Sequence, residues 1–233
     1  MSKAAVITGA SAGIGYATAN RLVASGYSVI NLSRRPANIE GVESIAVDLC
    51  QPVSASVVKR LTQSLSMADQ STIIHCAGLL GSDHATSVER DAIERSLAVN
   101  ITAPAVLNQQ LIPALKAGSS IVFVGSTLGD KAVQGAFSYV TSKHAVNGMM
   151  RATCQDLIGT GIHTAVVSPG FTDTEMLRDH VGNDQSILDA LAENVTMGRL
   201  ITPNEIASAI QFCVENPVIN GSVIHANLGQ IER

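Results

Sequence analysis

The sequence predicts an α/β fold: one doubly wound parallel sheet of about seven strands with helices on both faces. Three observations predict it. Short apolar runs such as Ala4-Ala5-Val6-Ile7 and Ile121-Val122-Phe123-Val124 lack the alternation of a half-exposed strand, so they read as strands buried on both faces. Between such runs, apolar residues recur at helical spacing. Several strands end on small or polar residues, as at Cys76-Ala77-Gly78, Gly125-Ser126 and Ser168-Pro169-Gly170, where an open sheet offers backbone to a ligand.

Taken in order, the first strand (residues 4–7) feeds Thr8-Gly9-Ala10-Ser11-Ala12-Gly13-Ile14-Gly15. A helix follows, with Ile14, Ala17, Leu22 and Val23 on its apolar face, and ends near Ser25-Gly26. Glycines at this spacing permit a tight turn and let the backbone approach a diphosphate at the helix N-terminus. The second strand (28–32) closes on Ser33-Arg34-Arg35. A sheet that reads NAD places a carboxylate near this point for the adenosine ribose. Here the first acid is Glu40, and two arginines stand where a 2′-phosphate would lie. That favours NADP(H), with NAD(H) still admitted.

Residues 42–47 form a third strand closing on Asp48-Leu49, and a helix runs from Pro52 through Val57, Val58, Leu61 and Leu65. The fourth strand (72–75) ends on His75, read as a hydrogen-bonding residue rather than an acid or base. After a polar loop (81–86), helical spacing covers 88–99 and continues from Asn100 to Leu115, with Asn100 marking a kink. The fifth strand (120–124) delivers Ser126. In the helix from Ser138, Tyr139 and Lys143 lie four apart on one face, so a phenol, an ammonium and the Ser126 hydroxyl can converge. Residues 162–167 form the sixth strand. The polar segment 171–197, with helical pieces, is the expected lid over the strand ends. Thr202 caps a helix that begins at Pro203, and 222–224 form the last strand.

The 233 residues suit one domain, residues 1–233, with 46% apolar and only 15% charged residues. A net charge of −4 and the absence of a basic cluster argue against nucleic acid or an anionic membrane as partner. No apolar run approaches the ~18 residues of a spanning helix, and the N-terminus lacks a signal pattern. Cys50, Cys76, Cys154 and Cys213 are scattered, as in a reduced cytoplasmic protein. The six histidines show no ligand spacing, so no metal is expected.

With these pieces in order, the chain resembles the short-chain dehydrogenase/reductase family over nearly its full length. The resemblance rests on Thr8–Gly15, Asp48-Leu49, Cys76-Ala77-Gly78, Asn100, Ser126, Tyr139-x-x-x-Lys143 and Pro169-Gly170, with Ser126 13 residues before Tyr139. It implies a Rossmann-type fold and hydride transfer between a nicotinamide and a carbonyl or secondary alcohol. It makes Tyr139 the general acid/base, its pKa lowered by Lys143 together with the positive charge of the oxidised nicotinamide; Lys143 also holds the nicotinamide ribose. Ser126 would bind the substrate oxygen, and Asn100 a water leading to Lys143. Gly9, Ser11, Gly13, Ile14 and Gly15 would cradle the diphosphate, Ser33 and Arg34 the 2′-phosphate, and Asp48 with Leu49 the adenine. Ala77 and Gly78 would line the cofactor, while Pro169, Gly170 and Thr172 would face its carboxamide. The partners implied are a small-molecule substrate and further copies of the chain, as homodimer or homotetramer, through helices at about 100–115 and 139–158. The family's usual Asn-Asn-Ala-Gly is His75-Cys76-Ala77-Gly78 here. A catalytically silent nucleotide-binding sensor is the competing class, and an epimerase or dehydratase would need a larger C-terminal region.

Overall fold

The computed structural model describes residues 1–231; the last two, counted in the expected domain, lie outside the described residues. Seven strands are found among those described: β1 (Lys3–Thr8), β2 (Tyr27–Ser33), β3 (Val42–Ala46), β4 (Gln70–His75), β5 (Ser120–Val124), β6 (His163–Pro169) and β7 (Ser222–Ala226). They make one sheet in the order β3-β2-β1-β4-β5-β6-β7, every pairing parallel. Chain order reverses between β1 and β4, whose C-terminal ends lie level: Thr8 pairs with His75, and His75 with Phe123. A crevice opens outside the strand ends at such a reversal.

Successive residues of the central strands are buried on opposite faces, as the pleat requires. Ile73, Ile121 and Phe123 pack with Leu61 and Leu65 of α2 (Ala55–Met67), Leu107 and Leu111 of α4 (Ala103–Leu111), and Val146 and Met150 of α5 (Phe137–Asp156). Ile74, Val122 and Val167 pack the other way, on Leu22 of α1 (Gly13–Ala24) and on Ile206, Ile210 and Val214 of α8 (Pro203–Glu215). Strands sandwiched between two helix layers have no exposed face, which is why their sequences show no alternation.

The expected helix over 88–115 is four pieces. The segment α3 (Arg90–Leu97) runs into a π-turn at Ala98–Thr102, then α4, then a single 3-10 turn at Ile112–Ala114. Asn100 lies within the π-turn, so the expected kink is an inserted residue. The helix stops short of Leu115 because Pro113 has no N–H to continue it. At α8, Thr202 accepts from the Glu205 N–H while Glu205 reaches back to the Thr202 N–H, a complete capping box. Two short helices, α6 (Glu175–His180) and α7 (Gln185–Glu193), occupy the segment expected as a lid. No helix of the described residues is long and apolar enough to cross a membrane.

Candidate active site

The crevice floor is built from the ends of β1, β2 and β4. Gly9 turns with φ +77°, and a methyl there would stand 2.8 Å from the Ala77 backbone. A methyl on Gly15 would collide with the Gly9 carbonyl oxygen. A side chain is thus excluded at both positions, which leaves the turn into α1 lined by backbone, the surface that a diphosphate at a helix N-terminus requires. The loop is braced from below. Asn31, fully buried in β2, accepts from the Ala10 N–H (2.9 Å) and donates to Ser33 Oγ (2.8 Å). The Thr8 hydroxyl accepts from the Ala77 N–H at 3.1 Å, tying β1 to the turn after β4. Ser11, Gly13 and Ile14 lie half-buried on this loop.

Ser33 ends β2, its hydroxyl turned to the Arg35 carbonyl. Arg34 is exposed, and among the described residues it makes no side-chain hydrogen bond or ion pair. The expectation that this point is free of negative charge is corrected: Glu175, 140 residues on, pairs with Arg35 through both carboxylate oxygens (3.2 and 2.8 Å). Nothing local in the sequence could signal a carboxylate that arrives from α6. Asp48 is exposed and accepts from the Cys50 N–H (2.9 Å), while the Leu49 side chain is buried in the core.

Ser126 follows β5 and caps a short 3-10 turn, its hydroxyl accepting from the Leu128 N–H at 3.1 Å. Tyr139 and Lys143 rise from the first turns of α5 on the side facing it. Lys143 is buried at 5% exposure and donates to the Val124 carbonyl at 2.8 Å, clamping α5 onto the end of β5. Its Nζ lies 5.5 Å from the centre of the Tyr139 ring. The three expected side chains do come together. A methyl on Gly78 would stand 3.8 Å from Lys143 Nζ and 3.7 Å from Asn100 Oδ1, so the bare backbone at 78 keeps that space open.

Burial pushes the Tyr139 phenol up to about 12, with the Ser126 hydroxyl opposing by hydrogen bonding. Burial also brings Lys143 down to about 8, against a partial opposing effect of Cys76. Lys143 gives one of its three N–H donors to the Val124 carbonyl, and among the chain's own groups desolvation dominates at Tyr139.

Asn100 binds backbone rather than offering a free amide. Its Oδ1 accepts from the Leu79 N–H (2.8 Å), and its Nδ2 donates to the Leu79 carbonyl and to Ser142 Oγ (2.8 Å). Ser142 in turn donates to the Tyr139 carbonyl. Pro169, Gly170 and Thr172 continue from β6; Thr172 is buried and donates to the Gly170 carbonyl, so its hydroxyl is turned inward.

Asp83, in the loop read only as polar, was missed. Helix α5 has no side-chain cap of its own at Ala136. Asp83 supplies one: its Oδ1 accepts from the Ser138 N–H (2.9 Å), its Oδ2 from the Ser138 hydroxyl, and its carbonyl from the Phe137 N–H. The carboxylate thus fixes the residue next to Tyr139. The uncapped start of α5 was the one available signal.

Relatives match the chain over nearly its whole length. A 3-oxoacyl-[acyl-carrier-protein] reductase of Vibrio cholerae is 28% identical over 240 residues, covering 97% of this chain and 96% of its own. A sulfoacetaldehyde reductase of Chromohalobacter salexigens is 27% identical, covering 100% and 93%. The ligand-free structure of Thermoplasma acidophilum aldohexose dehydrogenase superposes with a TM-score of 0.90 at 26% identity, over 98% of this chain and 93% of that one. The description of short chain dehydrogenases matches residues 3–185, from β1 to the first residue of α7, and the chain belongs to that family of NAD(P)-dependent oxidoreductases.

Proposed function

We propose that the protein reduces a small carbonyl compound, or oxidises the matching secondary alcohol, with Tyr139 as general acid/base. The convergence of Ser126, Tyr139 and Lys143 above the bare backbone of Gly78 carries this reading. A bound nicotinamide cofactor supplies or accepts the hydride. Gly9, Gly13 and Gly15 hold its diphosphate on the start of α1, and Arg34 meets a 2′-phosphate, so NADP(H) is preferred.

The chain's own groups manage the proton. A phenol held near 12 keeps its proton at neutral pH and sits ready to donate it to a forming alkoxide. The Ser126 hydroxyl orients the substrate oxygen beside it. Lys143 acts first through position: its grip on Val124 fixes the helix carrying Tyr139 against the strand that delivers Ser126. Asn100 and Asp83 brace the same turn of α5 from two sides. Segment 171–197 closes over the strand ends as a lid.

The relatives named above act on a 3-oxoacyl group, sulfoacetaldehyde and an aldohexose, so the common denominator is a carbonyl or the matching alcohol. The silent-sensor alternative has no observation in its favour. A panel of ketones, aldehydes and secondary alcohols, assayed with NADPH, NADH and their oxidised forms, tests the reading. Cofactor-dependent turnover on at least one substrate is expected. Tight cofactor binding without turnover across the panel would make the protein a nucleotide sensor instead.

A further inference from the structure

Three consecutive residues at the start of α6 cross the crevice. A methyl added to Gly13 would stand 3.2 Å from Thr174 Cγ2, so Thr174 lies against the glycine loop. Glu175 pairs with Arg35 beside the end of β2. A methyl added to Gly78 would stand 4.0 Å from Met176 Cε, next to Lys143 Nζ. The crossing is anchored behind: Arg178 makes a two-point pair with Asp173 (2.6 and 2.9 Å), and the Asp173 N–H donates to the Ile201 carbonyl (2.8 Å). Thr174 caps the helix by accepting from the Leu177 N–H. Glu175 is therefore delivered to Arg35 by a fixed turn. Asp179, one turn further along α6, adds negative charge facing the same guanidinium.

We propose that Glu175 narrows the preference for NADP(H), by holding Arg35 in an ion pair that the adenosine 2′-phosphate breaks when it takes this second arginine beside Arg34. The inference rests on the oxidoreductase reading above. In sheets of this kind the 2′-phosphate falls at an arginine just past the second strand. Arg34 is open there, but Arg35 already presents two of its N–H groups to a carboxylate. A phosphate that takes them leaves Glu175 unpaired beside a second anion. NADH, with no group to compete, leaves the pair in place. The carboxylate that NAD-reading sheets carry on the strand is thus supplied by the lid. It acts against NADP(H) by occupying an arginine. Both side chains are more than half exposed, at 63% and 52%, so the pair is weak enough to open on binding. The cofactor choice also becomes coupled to the lid: NADPH releases α6 from Arg35, and NADH does not.

Calorimetric titration of NADPH and NADH into the wild type, Glu175→Gln, Arg35→Ala and the double variant tests this. Glu175→Gln should tighten NADPH about three- to fivefold, the scale of one exposed pair, and leave NADH unchanged. The gain should shrink in the Arg35→Ala background, because no arginine remains to be freed. Hydrogen exchange of the α6 amides should rise on NADPH binding more than on NADH binding. Unchanged NADPH affinity in Glu175→Gln, or an equal change for both cofactors, overturns the inference and leaves the oxidoreductase reading intact. Failure of the wild type to bind either cofactor overturns both.

Discussion

Tyr139 and His75 are governed by the same force with opposite consequences. Burial disfavours charge, so it holds the Tyr139 phenol in its protonated form and His75 in its neutral form. His75 stacks on Phe123 at 5.0 Å and donates from Nε2 to Asn108 Oδ1 at 2.8 Å. Its pKa falls from 6.5 to about 4, burial being the main cause and the Asn108 bond a partial offset. The unfolded chain therefore takes up this proton at a higher pH than the folded one. Stability attributable to neutral His75 is present above pH ~6.5 and is lost as the pH falls towards ~4, a change of the order of 3 kcal/mol. Denaturant unfolding at pH 7 and pH 4.5 checks this. His75→Asn should lose less stability over that interval than the wild type, whatever its stability at pH 7. Equal losses in the two proteins would mean that His75 does not resist protonation in the folded chain.

At the scale of elements, α5 decides the site, because its first two turns carry both Tyr139 and Lys143. Its N-terminus depends on a carboxylate 55 residues earlier in the chain. Asp83→Ala should cost about 1–2 kcal/mol, the range of a lost cap and its hydrogen bonds. Turnover should fall severalfold while cofactor affinity holds, since the glycine loop is untouched. Asp83→Asn, which keeps one acceptor, should recover most of both. Thermal unfolding beside kcat and cofactor titrations would separate these effects, and unaltered turnover in Asp83→Ala would remove Asp83 from the positioning of Tyr139.

The same helix marks where sequence reading works and where it stops. All seven strands and the four-residue spacing of Tyr139 and Lys143 were legible, because short runs bounded by turn residues and helical periodicity write themselves into short windows. The kink at Asn100 was legible as well, since asparagine is a poor mid-helix residue. Asp83 on Ser138 and Glu175 on Arg35 were not. Each joins residues far apart in the chain, through one polar side chain in an otherwise ordinary loop or helix. Proximity of Lys143 to Tyr139 was readable in the same way, but its hydrogen bond to the Val124 carbonyl was not.

For the whole molecule, the outer surfaces of α4 and α5 are the expected contacts between copies. Leu107 cannot take part, because it is buried against the sheet at 1% exposure. Thr141, Ala145, Gly148 and Ala152 form an exposed line of small residues on α5, flanked by exposed His144 and Arg151, and space above Gly148 is open. Small residues at helical spacing allow a second helix to approach closely. Gly148→Arg should therefore shift a dimer or tetramer towards monomer in light scattering without unfolding the chain. A wild type that is monomeric at micromolar concentration would reject this assembly.

The central claim is that a crevice at the reversal of strand order performs hydride chemistry with Tyr139 as its proton donor. The most direct measurement is steady-state turnover of Tyr139→Phe with NADPH and a substrate found in the panel, made beside an NADPH titration of the same variant. Removing one hydroxyl from a ring that α5 still holds should leave cofactor affinity unchanged and reduce turnover about 10²–10⁴-fold, the contribution of a positioned acid. Turnover within a few fold of wild type, with cofactor still bound, would contradict the assignment of the proton to Tyr139.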